Sequence, residues 1–238
     1  MNIILFEEKP AGGRIPSDDP RAKHIIRILK SNVGDTLLMG LINGPFSEAR
    51  IVAIEQDAVY VDWNPDRQSP ELFEAELLVG QVRPICMKRI LREAVSLGVQ
   101  RIRVTGADLA EKSYQQAHLW ARGEYASYLI HGAEQAVSTR IPELILTKTV
   151  DEVDIPEGAA KILLDPRRQQ VRLAEMDLRS AQRPVVLAVG PERGWSEREL
   201  GVFDSRGFVS AGMGERILRT ETACAVGLGL VLSRMGCM

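Results

Sequence analysis

Apolar positions follow two different rhythms along the chain. Up to residue 72 they come in short β-rich runs, Asn2–Phe6, Thr36–Leu41, Ala49–Ile54 and Ala58–Trp63. Gly34-Asp35 and Asn43-Gly44-Pro45 supply turns between them. Between the first two runs, Asp19–Lys30 predicts a short helix with Ile25, Ile26 and Leu29 on one side. This reads as a small β-barrel-like domain, followed by a polar linker, Asn64–Pro70.

Beyond the linker, strand-like runs alternate with helical ones. Glu76–Val82, Arg101–Thr105, Ile162–Leu164, Val185–Val189 and Phe208–Ala211 predict strands. The third and fourth are continuously apolar, as in strands buried on both faces. Ile85–Leu97 predicts a helix with Ile90, Leu91, Ala94 and Val95 inward and Gly98 ending it. Gln115–Val137 predicts a long helical stretch weakened at Gly123 and Gly132, and Thr220–Met235 a closing helix. Such alternation argues for an α/β fold with a mainly parallel sheet. The division expected is residues 1–72 and 73–238.

Composition narrows the class. Of 238 residues, 45% are hydrophobic and 26% charged, which is globular rather than disordered. The longest near-uninterrupted apolar run is Ala223–Leu232, about half of what a membrane helix needs. Glu7 and Glu8 speak against a secretory signal. Three cysteines, 86, 224 and 237, and three histidines argue against a disulfide framework or a metal site and for the cytoplasm. A net charge of −2 argues against a nonspecific nucleic-acid coat, yet leaves room for a local basic face.

Two segments carry candidate chemistry. Val185–Val189 runs into Gly190-Pro191-Glu192-Arg193-Gly194 and then a helix whose start is marked by the capping-box pair Ser196 and Glu199. Strand, glycine turn, helix brings backbone amides to a ligand, or is a tight turn with none. No phosphate loop and no Gly-x-Gly-x-x-Gly accompany it. Further on, Gly212-Met213-Gly214-Glu215-Arg216 precedes Ile217-Leu218-Arg219-Thr220-Glu221-Thr222 and a helix of small residues.

Together these segments resemble the 16S ribosomal RNA uridine N(3)-methyltransferase family, of the knotted SPOUT class. The N-terminal stretch His24–Lys30, then Val33-Gly34-Asp35 and Asn43-Gly44, is similar to that family's PUA-like RNA-binding domain, and Ser96–Val99 and Ala133–Ala136 match weaker stations. The resemblance implies a PUA-like β-barrel followed by a SPOUT α/β domain with a deep trefoil knot. It implies S-adenosylmethionine held by Leu164, Gly190, Pro191, Glu192, Gly194, Gly212, Met213, Ile217, Leu218, Arg219 and Thr222, and a homodimer packed through the last helix. Ribosomal RNA or the small ribosomal subunit is the implied partner, with no membrane and no metal.

Chemical reasoning adds roles. Uridine's ring imino nitrogen is protonated at neutral pH, so its proton must leave and its carbonyl charge must be stabilised. Arg219 is the candidate stabiliser; Glu192 or Glu221 would accept the proton or orient a donor. Glu192 could equally complement a helix terminus, and Arg219 with Glu221 could be a structural ion pair. His24, Arg27 and Lys30, with Lys88, Arg89 and Arg92, are the candidate RNA contacts, or else two solvated helix faces. Arg193 stands where the family has glycine, Leu164-Asp165-Pro166 where it has a Leu-His-Pro-like station, and Ala136-Val137-Ser138 where it has Cys-Gly-Arg. These departures keep two alternatives open: a non-catalytic RNA-binding relative, or a methyltransferase of another RNA position.

Overall fold

A computed structural model describes residues 2–238, which divide into two units. The first takes the chain up to Glu71, and also Ala133–Ile141. Its strands are β1 (Ile4–Phe6), β2 (Arg14–Pro16), β3 (Thr36–Leu41), β4 (Pro45–Ile54), β5 (Ala58–Trp63) and β6 (Arg67–Gln68). They pair in the order β1-β3-β4-β5-β2, with β6 on β4; only β1 and β3 run parallel. In β4 the alternation is plain: Ser47, Ala49 and Ile51 are buried, Glu48, Arg50 and Val52 exposed. Ile4, Phe6, Ile25, Met39, Val61 and Trp63 share its core.

The helix expected over Asp19–Lys30 is shorter and less regular. α1 (Pro20–Lys23) is capped by Asp19, whose carboxylate accepts the Arg21 amide at 2.8 Å. One π turn, His24–Ile28, follows, and Lys30 closes it at φ 54°. The widened turn rotates the expected apolar side away: Ile25 is buried, while Ile26 and Leu29 are exposed.

Residues 133–141 carry no local signal that ties them to the first unit, and the reading of two successive stretches assigns them to the second. The reason is side-chain chemistry. The buried Glu134 carboxylate accepts the Leu5 amide at 3.3 Å. Thr139, with no exposed surface, donates through Oγ1 to the Gly44 carbonyl at 2.7 Å, and its amide donates to Ser69 Oγ at 2.9 Å.

The second unit is an all-parallel sheet with helices. Its elements are β7 (Phe73–Gly80), α2 (Pro84–Ser96), β8 (Val99–Thr105), α3 (His118–Ala121), α4 (Tyr125–Gln135, whose last turn belongs to the first unit), β9 (Glu143–Thr147), β10 (Ala160–Leu164), β11 (Val171–Arg172), β12 (Val185–Val189), α5 (Glu197–Ser205), β13 (Val209–Gly212) and α6 (Thr220–Met235). The order is β11-β13-β10-β12-β7-β8-β9. Central β12 is buried at all five positions, which explains its uninterrupted apolar sequence. The long helical stretch expected over Gln115–Val137 breaks at Gly123, where φ is +69°, leaving α3 and α4.

Glu76 of β7 is fully buried and is tolerated because it is paired: Arg101 Nη1 reaches it at 2.6 Å and Arg103 Nε at 2.8 Å. α6 packs against α2, β7 and β12 through Cys224, Leu228, Val231 and Leu232. Gly227 makes the close approach possible, since a Cβ there would lie 2.9 Å from the Leu164 and Leu187 side chains. No helix among the described residues is long and apolar enough to cross a membrane.

Candidate active site

The chain builds β7, β8 and β9 outward in one direction, then crosses to the other side of β7 for β10, β12 and β13. In an open parallel sheet such a reversal leaves a crevice at the carboxyl ends of the strands. A cavity of about 540 Å³ lies there. Its walls are the segments leaving β10, β12 and β13, the first turn of α6 and the entry to α2. Its volume suits a cofactor-sized ligand.

The segment leaving β12 is a tight turn. The Gly194 amide donates to the Pro191 carbonyl at 2.8 Å, and Gly194 sits at φ +72°, where a side chain would be strained. Arg193 is exposed and outside the left-handed region, so the arginine costs the turn no backbone strain. Trp195 anchors the turn in the core, 4.9 Å from the Phe203 ring. Ser196 then caps α5: its amide donates to Glu199 Oε2 at 2.8 Å, and Glu199's amide donates to Ser196 Oγ at 3.1 Å. Glu199 is fully buried and its other oxygen accepts the Asp108 amide at 2.9 Å. Arg198 joins Asp108 at 2.9 Å and Asp151 at 2.7 Å, which holds its own pKa above the ordinary value and both carboxyls below theirs.

The segment leaving β10 begins with Asp165, which is 3% exposed. Burial alone pushes its carboxyl up, but bonds from the Arg167 side chain (Nη2, 2.9 Å) and amide (2.8 Å) outweigh that and hold it below the usual carboxylate range.

The mouth is different. Arg219 is the exposed N-cap residue of α6, with no side-chain partner among the described residues. It does not pair with Glu221, as one reading of the sequence allowed; Glu221 is half-buried and lies 3.9 Å from Arg89. Glu192 is exposed and accepts the Arg83 amide at 3.2 Å through Oε1. Ile217 is 83% exposed. Cys86, in the wall, has its thiol pushed up by burial and then by Glu221 and Glu192.

Of the residues expected to hold a cofactor, Leu164, Gly190, Pro191, Glu192, Gly194, Gly212, Met213, Ile217, Leu218 and Arg219 all line the cavity, and so does Glu221. Thr222 does not. Thr220 and Ala223, three apart on one helix face, line it instead, and Thr222 is turned to solvent. Sequence reasoning missed Arg83, Asp165, Gln169 and Arg216, which line it too. The departure at Leu164-Asp165-Pro166 was the available signal for Asp165; the others sit in loops without periodicity.

The candidate RNA contacts differ among themselves. In the second unit, Arg92 is exposed and Arg89 is shared with Glu221. Lys88 is engaged rather than free, 3.5 Å from Glu124 and 5.0 Å from the centre of the Tyr128 ring. In the first unit, Arg27 and Lys30 are exposed. His24 has a buried, unpartnered Nε2, and burial lowers its pKa, so it supplies no charge at neutral pH. Among the described residues no three His, Cys, Asp or Glu side chains group so as to hold a metal ion.

The RNA methyltransferase domain family matches residues 69–232. Ribosomal RNA small subunit methyltransferase E of Treponema pallidum is 35% identical over 244 residues, spanning 98% of this chain and 91% of that protein. Ribosomal RNA small subunit methyltransferase E 1 of Borreliella burgdorferi is 29% identical, spanning 94% of each. Among solved structures, ribosomal RNA small subunit methyltransferase E from Neisseria gonorrhoeae, bound to S-adenosyl methionine, superposes with a TM-score of 0.75 at 21% identity over 98% of this chain and 97% of that one. A methyltransferase from Legionella pneumophila in complex with the same cofactor gives 0.76 at 22% identity over the same shares.

Proposed function

The chain belongs to the RNA methyltransferase family, together with the ribosomal RNA small subunit methyltransferases E, and from that premise we propose that it methylates N3 of a uridine in small-subunit (16S) ribosomal RNA. It is a methyltransferase that uses S-adenosylmethionine. The observation that carries the assignment is the meeting of both motif segments in one cavity: the Gly190–Gly194 turn and the Gly212–Arg219 loop wall the same space.

The residues present fit the cofactor. Leu164, Val189, Ile217 and Leu218 offer apolar surface, and at Gly212 a Cβ would fill space already held by the Gln169 side chain. When bound, the cofactor supplies a methyl group on a sulfonium centre. Arg219, exposed at the mouth and without a side-chain partner among the described residues, stabilises the negative charge that spreads onto the uracil carbonyl oxygens. Glu192 Oε2 has no partner among the described residues and would take the N3 proton, while Glu221, 3.9 Å from Arg89, shapes the wall. N3 would lose its proton to a carboxylate of this chain and so be able to accept the methyl group that the bound cofactor would supply. Exposed Arg216 adds a phosphate contact at the mouth, with Arg89 and Arg92 beyond it.

The same reading takes the first unit as a PUA-like barrel, the second as a SPOUT domain, and the C-terminal segment as knotted. Supporting the knot, the segment after β11 lies against α6: Arg234 Nε donates to the Met176 carbonyl at 2.6 Å. Supporting a homodimer through α6, Val226 is 43% exposed and Gly229 has open space before it. Ribosomal RNA as substrate sets the workplace in the cytoplasm.

The test is calorimetric titration with S-adenosylmethionine, then incubation with small subunits and nucleoside analysis. Binding followed by one N3-methyluridine is expected. Binding with a different methylated nucleoside would overturn the target, and absence of binding would overturn the enzyme reading.

A further inference from the structure

The short segment leaving β10, Asp165–Gln170, is polar and aperiodic, yet it bonds to the turn leaving β12, the loop leaving β13, β13 itself and α5. Arg167 Nη2 donates to Asp165 at 2.9 Å and, across the crevice, to the Trp195 carbonyl at 3.0 Å. That carbonyl lies at the end of the turn leaving β12. Gln169 Nε2 donates to its own loop at the Pro166 carbonyl, 3.2 Å, and to the Gly214 carbonyl, 3.3 Å, on the loop leaving β13. Arg168 Nη2 holds Asp204 of α5 at 2.8 Å, and the Gln170 amide donates to the Ser210 carbonyl of β13 at 3.0 Å.

The two reaching side chains thus point to opposite walls of one cavity. Backbone carbonyls in loops are obligatory acceptors that otherwise turn to water. Fixing one from each wall to a shared third segment fixes the distance between the walls. Gly214 particularly needs such a tether: its φ is +112° and no atom lies within 4 Å of where a Cβ would be, so packing does not hold it.

We infer that Arg167 and Gln169 are positioning residues that set the width of the cofactor cavity, each bracing one of the two motif loops against the segment leaving β10. The inference rests on the reading of this cavity as the S-adenosylmethionine site. Neither residue reaches the reacting atoms; both act through loops that do. Preformed walls spare the ligand the cost of ordering them, so the loss of a brace appears as weaker binding.

The experiment compares wild type with Gln169→Glu, Arg167→Gln and the neighbouring control Gln170→Glu, by calorimetric titration with S-adenosylmethionine and by amide hydrogen exchange without ligand. Gln169→Glu keeps the shape and removes the donor; Gln169 is exposed, so the fold tolerates the change. Each brace variant is expected to raise Kd by about tenfold, the scale of one net hydrogen bond. Exchange is expected to quicken at residues 213–218 only in Gln169→Glu and at 192–196 only in Arg167→Gln; the melting temperature stays unchanged in Gln169→Glu and falls in Arg167→Gln, which also strips the buried Asp165 carboxylate of its guanidinium. A general structural defect would not divide the two loops in this way. Wild-type affinity in both brace variants, or exchange unchanged in the matching loop, overturns the bracing role while the cofactor reading stands. Absence of binding by wild type itself overturns that reading, and the bracing role with it.

Discussion

The rear wall and the mouth of the cavity are built on opposite terms. At the rear, Asp165 and Trp195 are buried; Arg167 bonds to Asp165 and to the Trp195 carbonyl, Gln169 to the Gly214 carbonyl, and Glu199 accepts the Asp108 amide, while the Trp195 indole Nε1 has no partner among the described residues. At the mouth, Arg216 and Arg219 are exposed and have no side-chain partner among the described residues, and Ile217 exposes most of its surface. A wall whose loops are braced to one another before a ligand arrives suits a small molecule of constant shape. A mouth with unmet charge and apolar surface suits a larger partner, and on the proposed reading an RNA strand would supply the phosphates.

The sharpest way to break this contrast is Arg219→Ala. Turnover is expected to fall about 10²- to 10³-fold, the scale of removing one preorganised stabiliser of transition-state charge, while S-adenosylmethionine affinity and melting temperature stay near wild type. Steady-state rates beside a thermal melt check it, and wild-type turnover would end the role given to Arg219.

Gly194→Val tests the wall. A β-branched residue at φ +72° costs about 1–3 kcal/mol, so a lower melting temperature and weakened cofactor binding are expected together, in contrast to the selective loss at the mouth.

pH separates the regions further. The Asp165 carboxyl is held below its usual range in the folded chain, so its contribution to stability is fully present above the ordinary carboxylate pKa of about 3.9 and is lost as pH falls through the lower folded value. Arg167 and Arg168 are the cations facing it. Cofactor affinity should therefore stay level from pH 8 to about pH 5 as far as the wall is concerned. A decline within that window in calorimetry would remove Asp165 from its place in the wall.

The smallest effect expected is from Arg216→Ala. RNA affinity should drop for all sequences alike, and the slope of log affinity against log salt should shrink by about one. An unchanged slope in filter binding would show that Arg216 meets no phosphate.

The same division governs what could be read from the chain. β12 (Val185–Val189) and α6 (Thr220–Met235) fall where the sequence predicts them, because a doubly buried strand and a capped helix leave strong patterns. The Ser196–Glu199 cap was legible for the same reason. β9, half-exposed along its length, and β11, two residues long, left none. Arg167 and Gln169 were invisible because their roles depend on carbonyls about 30 and 45 positions away, which no spacing rule encodes. Lys88 shows the reverse: the helix pattern turns it outward, to RNA or to solvent, but Glu124 and Tyr128 come from a later helix region to meet it.

The return of residues 133–141 to the first unit has a consequence for how the chain is made. On a ribosome the six strands of that unit emerge early, but the Leu5 amide and the Gly44 carbonyl wait for Glu134 and Thr139. The first unit therefore cannot close when its strands have emerged: more than half of the chain must be synthesised first, at a translation rate of about 5–20 residues per second. A gene fragment ending at residue 72 would make a sheet lacking its own fastening.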